Sequence, residues 1–160
     1  MPKSPTGGSL THGLLIFGTL TLASFGTSAL ARDLPKTPDE LISTVSQAIT
    51  DRDMAVFEDL VNWKDARKIR KRVISYQIRS TFGRPIRSIT LEPFPADGLK
   101  EAESRGTQKA NMAVSHRLRV IFDEPPGESG IPPTDVFLIG KEQDVYRIAL
   151  VNPVPRKDDD

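Results

Sequence analysis

Ala66-Arg67-Lys68-Ile69-Arg70-Lys71-Arg72-Val73-Ile74-Ser75-Tyr76-Gln77-Ile78-Arg79-Ser80-Thr81, then Phe82-Gly83-Arg84-Pro85, then Ile86-Arg87-Ser88-Ile89-Thr90-Leu91-Glu92-Pro93-Phe94, is the stretch on which the fold turns. Its first part is a helix predicted over 66–81, with Ala66, Ile69, Val73 and Tyr76 on one apolar face. Gly83 and Pro85 stop it, as glycine just past a helix end and proline shortly after do. From Ile86 the apolar period drops from about 3.6 to 2, and Ile89 and Leu91 fall on one side of a strand over 86–94.

Upstream of this switch the chain reads as helix. Thr37-Pro38-Asp39-Glu40 fits a capping box with proline at the first helical position. Leu41, Val45, Ala48 and Ile49 follow at helical spacing. Asp51-Arg52-Asp53 interrupts the pattern, and Met54, Phe57, Leu60 and Val61 restart it in a second helix that Trp63 ends. Lys64-Asp65 leads into the third helix, with Asp65 as the expected N-cap.

Downstream it reads as strand. Pro95-Ala96-Asp97-Gly98 is a turn, and the polar stretch 99–111 fits a short helix, a ragged strand or a loop. Met112–Asp123 is the strongest strand, with Val114, His116, Leu118, Val120 and Phe122 on one face and Ser115, Arg117, Arg119 and Ile121 on the other. Glu124–Pro133 is a Pro/Gly-rich loop; Thr134–Gly140 and Val145–Asn152 are two further strands joined by the polar hairpin Lys141–Asp144. The sum is an α+β fold: three N-terminal helices packed on a curved, mostly antiparallel sheet of about four strands.

The helical start Thr37–Thr81, the strand after Gly83-Arg84-Pro85 and the closing hairpin Val136–Ile148 resemble the nuclear transport factor 2-like, cone-shaped α+β superfamily. The resemblance lies in order and pattern over nearly all of 32–152. It implies helices closing over one side of a bent sheet with an open mouth. The superfamily includes steroid isomerases, dehydratases, export-factor dimers and exported domains. Its isomerases use a carboxylate base with tyrosine and acid donors, and none of those roles is carried over to a residue of this sequence. A cystatin-like or other small helix-on-sheet domain is the alternative fold.

Residues 1–31 carry Lys3 as their only charge, an apolar run Leu14–Ala23 and the ending Ala29-Leu30-Ala31. Positive start, apolar middle and an Ala-x-Ala end make a secretory signal peptide cut after Ala31. The run is shorter than the roughly 20 residues needed to span a bilayer. The expected organisation is a signal at 1–31, a single domain at 32–152 and a flexible tail at 153–160, with a periplasmic or secreted location.

The chain has 22 Lys+Arg against 21 Asp+Glu, so loss of the Lys3 segment leaves the charges balanced. That excludes the strong basic excess of a nucleic-acid binder. With no Cys there are no disulfides, thiolate metal sites or cysteine nucleophiles, and two distant His do not make a metal centre. No phosphate-binding glycine loop, His-Glu-x-x-His, Gly-x-Ser-x-Gly or calcium-loop spacing is present. The expectation is no cofactor and no metal.

Two sets of candidate residues remain. Trp63, Tyr76, His116 and Tyr146 are the candidates for a ligand pocket. His116 sits on an apolar strand face, where it serves either as an acid–base group or as a satisfied core histidine. The tyrosines offer an apolar body with a hydroxyl donor. The second set is Arg67, Lys68, Lys71 and Arg72, from a basic run in which Lys64, Arg67, Lys68 and Lys71 cluster opposite the row Ala66, Ile69, Val73 and Tyr76. Such a face meets anionic lipid, an acidic partner or solvent. Arg117 and Arg119 alternate on the polar strand face and suit cross-strand charge pairs.

These observations point to an exported binding module for a small apolar ligand or an envelope protein, with a homodimer as one form. An isomerase- or dehydratase-like enzyme using the cone, and an envelope module docking through its basic helix, are the other readings.

Overall fold

The computed structural model describes residues 33–128 and 130–154, so the expected signal 1–31 and tail positions 155–160 lie outside the described residues. Helix α1 is Pro38–Asp51. Thr37 Oγ1 accepts from the Glu40 N–H at 3.2 Å, and Glu40 Oε2 accepts from the N–H groups of Lys36 (2.7 Å) and Thr37 (3.2 Å). This is the capping box read from sequence, and its backbone donors hold the Glu40 carboxyl below the usual range. Arg52 closes the helix in the left-handed region at φ 59°. Helix α2, Met54–Leu60, starts on Asp53, whose Oδ1 accepts from Ala55 N (3.0 Å) and Val56 N (3.3 Å). Both helices bury the residues that their spacing predicts: Leu41, Val45, Ala48 and Ile49 on α1, Phe57 and Leu60 on α2.

Helix α3 departs from its expected form. It spans Lys68–Arg79 with Arg67 at the N-cap position and no side-chain capping bond, while Asp65 sits in a left-handed turn at φ 59° instead of capping. The expected apolar face is turned outward: Ile69 is 70%, Val73 43% and Tyr76 75% exposed. Ile78 is buried in their place and Ile74 is half-buried. The helix carries two apolar rows, and tertiary anchors choose between them. Ala66 N donates to Trp63 O at the entry, Arg70 Nη2 donates to Val151 O at 3.0 Å, and Gly83 N donates to Ile49 O at 2.9 Å beyond the exit. Together they set the roll of the helix so that Ile74 and Ile78 face inward.

The main sheet contains β1 (Ile86–Pro93), β3 (His116–Phe122), β4 (Thr134–Glu142) and β5 (Val145–Ile148), ordered β1-β3-β4-β5 with every pair antiparallel. The stretch 99–111 resolves into a short helix α4 (Lys100–Ser104) and a short strand β2 (Gln108–Ala110). The β4–β5 turn is Gln143-Asp144 with both residues at positive φ (51° and 64°), the geometry that matches strand twist in a two-residue hairpin. The strand expected over Val145–Asn152 is instead two. Ala149 N reaches Leu138 O at 2.8 Å, and then the chain leaves β4. Leu150 exchanges bonds with Asn111, and β6 (Val151–Pro153) pairs with β2 as a second sheet. Pro153 therefore belongs to a strand and not to the tail.

Residues opposite each other on neighbouring strands point to the same side. The inward rows are Leu91–Leu118–Phe137, Ile89–Val120–Asp135 and His116–Ile139–Ile148. Phe57 inserts between Phe82 and Phe137, with both ring separations at 5.9 Å. Leu118, Val120, Phe122 and Ile139 are fully buried in the same core.

The opposite sheet face mixes Glu92, Arg117 and Arg119 with Ile121, Val136 and Leu138. Glu92 is forked by Arg117 Nε (2.6 Å) and Arg119 Nε (2.9 Å). These hydrogen bonds, Arg119 first, lower the Glu92 carboxyl from 4.5 to about 2. The sign of the pH effect follows. The folded state favours the ionised form, so the stabilisation is complete above pH 4.5 and is lost as pH falls toward 2. Acid unfolding of the Glu92→Gln protein is expected to depend less on pH in that window than the parent. Equal slopes in urea titrations across it would refute the assignment.

Candidate functional site: a groove between α3 and the open edge of β4

The split of the last strand leaves part of β4 uncovered. Pro133 O, Ile139 O and their alternates bond toward β3, since they accept from Phe122 N (3.0 Å) and Ser115 N (2.9 Å). Leu138 O points the other way, to Ala149 N. Backbone alternation then aims the N–H and C=O of Thr134 and Val136 away from β3 as well. Among the described residues no strand pairs with that side of Thr134 or Val136, because β5 covers only Ile139–Glu142.

Helix α3 lies alongside this edge and encloses a groove of about 290 Å³. Ile74, Ile78, Phe137, Leu138, Ile148 and Leu150 contribute its apolar lining. Gln77 and Ser80 stand on the helix side, and exposed Val136 on the strand side.

Two charged residues, Arg70 and Asp135, are part of the lining. Arg70 is tied by Nη2 to Val151 O, but its Nε is buried without a hydrogen-bond partner. Asp135 Oδ2 is likewise buried without one, its nearest cation being Arg84 Nη1 at 3.6 Å. Burial raises the Asp135 carboxyl above its usual range, with Arg84 opposing. Arg84 is committed elsewhere. It forks Glu124 at 2.8 Å through both Nε and Nη2 and lies 3.7 Å over the Phe122 ring centroid. The groove thus joins apolar side chains with one cation and one carboxylate, a mixed lining of the kind that binds small molecules or peptide segments.

None of the four pocket candidates from the sequence lines this groove. His116 and Tyr146 are brought together, ring centroids 6.2 Å apart and edge-on. His116 Nδ1 is 2.9 Å from Ser115 Oγ, and Tyr146 is buried under Lys141 Nζ, 4.5 Å from its centroid. Trp63 closes the end of α2, where its Nε1 donates to Glu58 O at 3.0 Å. Tyr76 faces solvent on the outer side of α3.

The surface set Arg67, Lys68, Lys71 and Arg72 is exposed. Lys71 Nζ stands 6.0 Å from the Trp63 ring centroid. The expected separation into a cationic outer face and a buried apolar face does not hold. At about 100° per residue Lys68, Arg72 and Arg79 flank the row Ile69, Val73 and Tyr76, and that row is itself exposed.

Sequence reasoning missed Arg70, Gln77, Asp135 and Val136. Asp135 carried a legible signal: it shares its strand side with Phe137 and Ile139, so strict alternation places a carboxylate on the core side. Arg70 is one of several cations on its helix, and nothing local distinguishes it.

Among the described residues no group of three or more His, Cys, Asp or Glu is placed to hold a metal ion. Among the same residues no helix is long and apolar enough to cross a membrane. No protein-family model, curated protein or solved structure matches this chain.

Proposed function

We propose that the chain is an exported binding module that holds a ligand or a protein segment in the α3–β4 groove. The observation that carries this reading is the groove itself, about 290 Å³, where Ile74, Ile78, Phe137 and Leu138 lie beside Arg70, Gln77 and Asp135. The signal-like stretch 1–31 supports export, and the helix-then-strand order supports a place in the nuclear transport factor 2-like superfamily. An isomerase or dehydratase reading has less support, since His116 and Tyr146 lie outside the groove.

The test is amide and methyl shift mapping with a panel of apolar carboxylates and amides. Shifts are expected at Ile74, Phe137 and Leu138, and Gln77→Trp, which fills the mouth from an exposed position, should abolish them. Shifts confined to other surfaces, or unchanged in the Trp variant, would remove the groove from consideration. The outer row of α3 supports a second reading, docking on an anionic envelope surface through Lys68, Arg72 and Arg79 with Ile69, Val73 and Tyr76. Salt-sensitive retention on anionic vesicles with no groove shifts would select it.

A further inference from the structure

Lys68, Ile69, Arg72, Val73, Tyr76 and Arg79 do not line the groove; all six are exposed on the face of α3 that points away from the core. We infer that this face seats the protein on an anionic phospholipid bilayer, with Ile69, Val73 and Tyr76 set among the headgroups and Lys68, Arg72 and Arg79 on the phosphates. The inference rests on the second reading above, docking through α3, and deepens it by naming what the surface is made of and how the helix meets it.

The roll of the helix creates the face. Ile74 and Ile78 take the inward side. At about 100° per residue Ile69 and Tyr76 then come out roughly opposite them, with Val73 alongside. Of the large apolar side chains exposed among the described residues, half lie in this one row. Single exposed apolar residues are ordinary, whereas a row of them rimmed by charge marks a contact surface.

The cations stand on the same face. Lys68, Arg72 and Arg79 fall within about 40° of one another along one flank of the row. No carboxylate of the described residues lies within ion-pair distance of any of the three. None can pair along the helix either, because α3 contains no acid. Lys68 and Arg72 are four apart, the spacing at which like charges repel. A negatively charged plane against this face would relieve that repulsion.

A phospholipid headgroup layer answers both kinds of side chain at once. Lysine and arginine heads reach phosphate while their aliphatic stems lie along apolar surface. Tyrosine suits the boundary, its ring sunk and its hydroxyl wet. Helices that lie in the interface plane join basic residues to an apolar row in this way. From Ile69 to Tyr76 the row rises about 10 Å along the helix, so the seat is shallow and reversible. Other occupants leave part of the face unanswered. A second copy, self-complementary about a two-fold axis, would bring Lys68, Arg72 and Arg79 toward their own equivalents. A soluble polyanion would meet the cations and leave Ile69, Val73 and Tyr76 in water.

The experiment is flotation with vesicles of phosphatidylcholine, alone or with about one third phosphatidylglycerol. It uses residues 32–160, which lie within the compact unit Ala31–Asp160 and carry the whole described core, so the apolar run 14–23 cannot supply the retention. Retention is expected on the anionic vesicles alone and should fall at least about tenfold between about 0.05 and 0.5 M salt. Lys68→Gln, Arg72→Gln and Arg79→Gln together should weaken it by about fivefold per charge. Ile69→Ser with Tyr76→Ser should weaken it about tenfold at low salt. All five positions are exposed, and an unchanged urea midpoint checks that each variant folds. On the parent protein, nitroxide-labelled phosphatidylcholine in the anionic vesicles should broaden the methyl resonances of Ile69 and Val73 and leave those of buried Leu118 sharp.

Salt-sensitive retention that the serine pair leaves unchanged, with no broadening at Ile69 and Val73, would overturn the bilayer seat while docking on an anionic surface stood. Soluble polyglutamate that binds as tightly as the vesicles, with the serine pair again silent, would make an acidic partner protein the occupant and overturn the bilayer. If neither vesicle retains the protein, or if salt and the glutamine variant change nothing, the inference and the docking reading fall together. The nitroxide measurement needs no variant, so the test holds even if a substituted protein does not fold.

Discussion

Phe57→Ala is expected to destabilise the protein by about 3–5 kcal/mol, the range for deleting a buried phenylalanine. Phe57 is fully buried, and its ring bridges Phe82 at the end of the helical half and Phe137 on β4. Truncation removes both ring contacts and leaves a cavity that α1, α2 and the sheet cannot all close at once. The loss reaches the groove, because Phe137 is part of its floor. Urea unfolding followed by Trp63 fluorescence should show the midpoint fall with an unchanged slope. The Phe137 resonances should move in the folded variant. A loss below about 1 kcal/mol would mean that Phe57 does not hold the helices to the sheet.

Gly140→Ala is expected to cost about 1–3 kcal/mol through overpacking, although the change adds only one methyl group. A Cβ at Gly140 would run into the Ala113 carbonyl oxygen and approach Met112 Cε to 2.7 Å. The methionine can yield; the backbone carbonyl cannot without moving the segment that leads into β3. That segment is tied down, since Ser115 N donates to Ile139 O and Asn111 exchanges bonds with Leu150. Gly127, with nothing within 4 Å of an added Cβ, is the control. Gly127→Ala should leave stability within about 0.5 kcal/mol of the parent. If the two variants were equally stable, the close approach over Gly140 would be wrong.

Much of the secondary structure was legible because its causes are local. Thr37 and Glu40 cap α1 whatever lies elsewhere, and the shift of apolar period after Pro85 separates helix from strand without reference to any partner. The inward face of β3 was legible for the same reason: strict alternation of Leu118, Val120 and Phe122 with Arg117 and Arg119 leaves only one way to bury the strand.

The site was not legible. Trp63, Tyr76, His116 and Tyr146 stand out by residue type, yet the groove is made by ordinary residues and by an absence of pairing. Whether Val145–Asn152 runs on as one strand or breaks at Ala149 depends on Asn111, a distant residue whose amide and backbone capture Leu150. No periodicity within the segment encodes that competition.

The amino-acid sequence by itself determined where helices begin, where strands take over and which face of β3 is buried, because capping, proline and side-chain alternation act within a few residues of chain. Only the tertiary structure decided the roll of α3 and the open edge of β4. Two apolar rows on one helix are close to equivalent until Arg70 finds Val151 O and Gly83 finds Ile49 O. A strand edge is open only when its neighbour is drawn off by a bond to somewhere else.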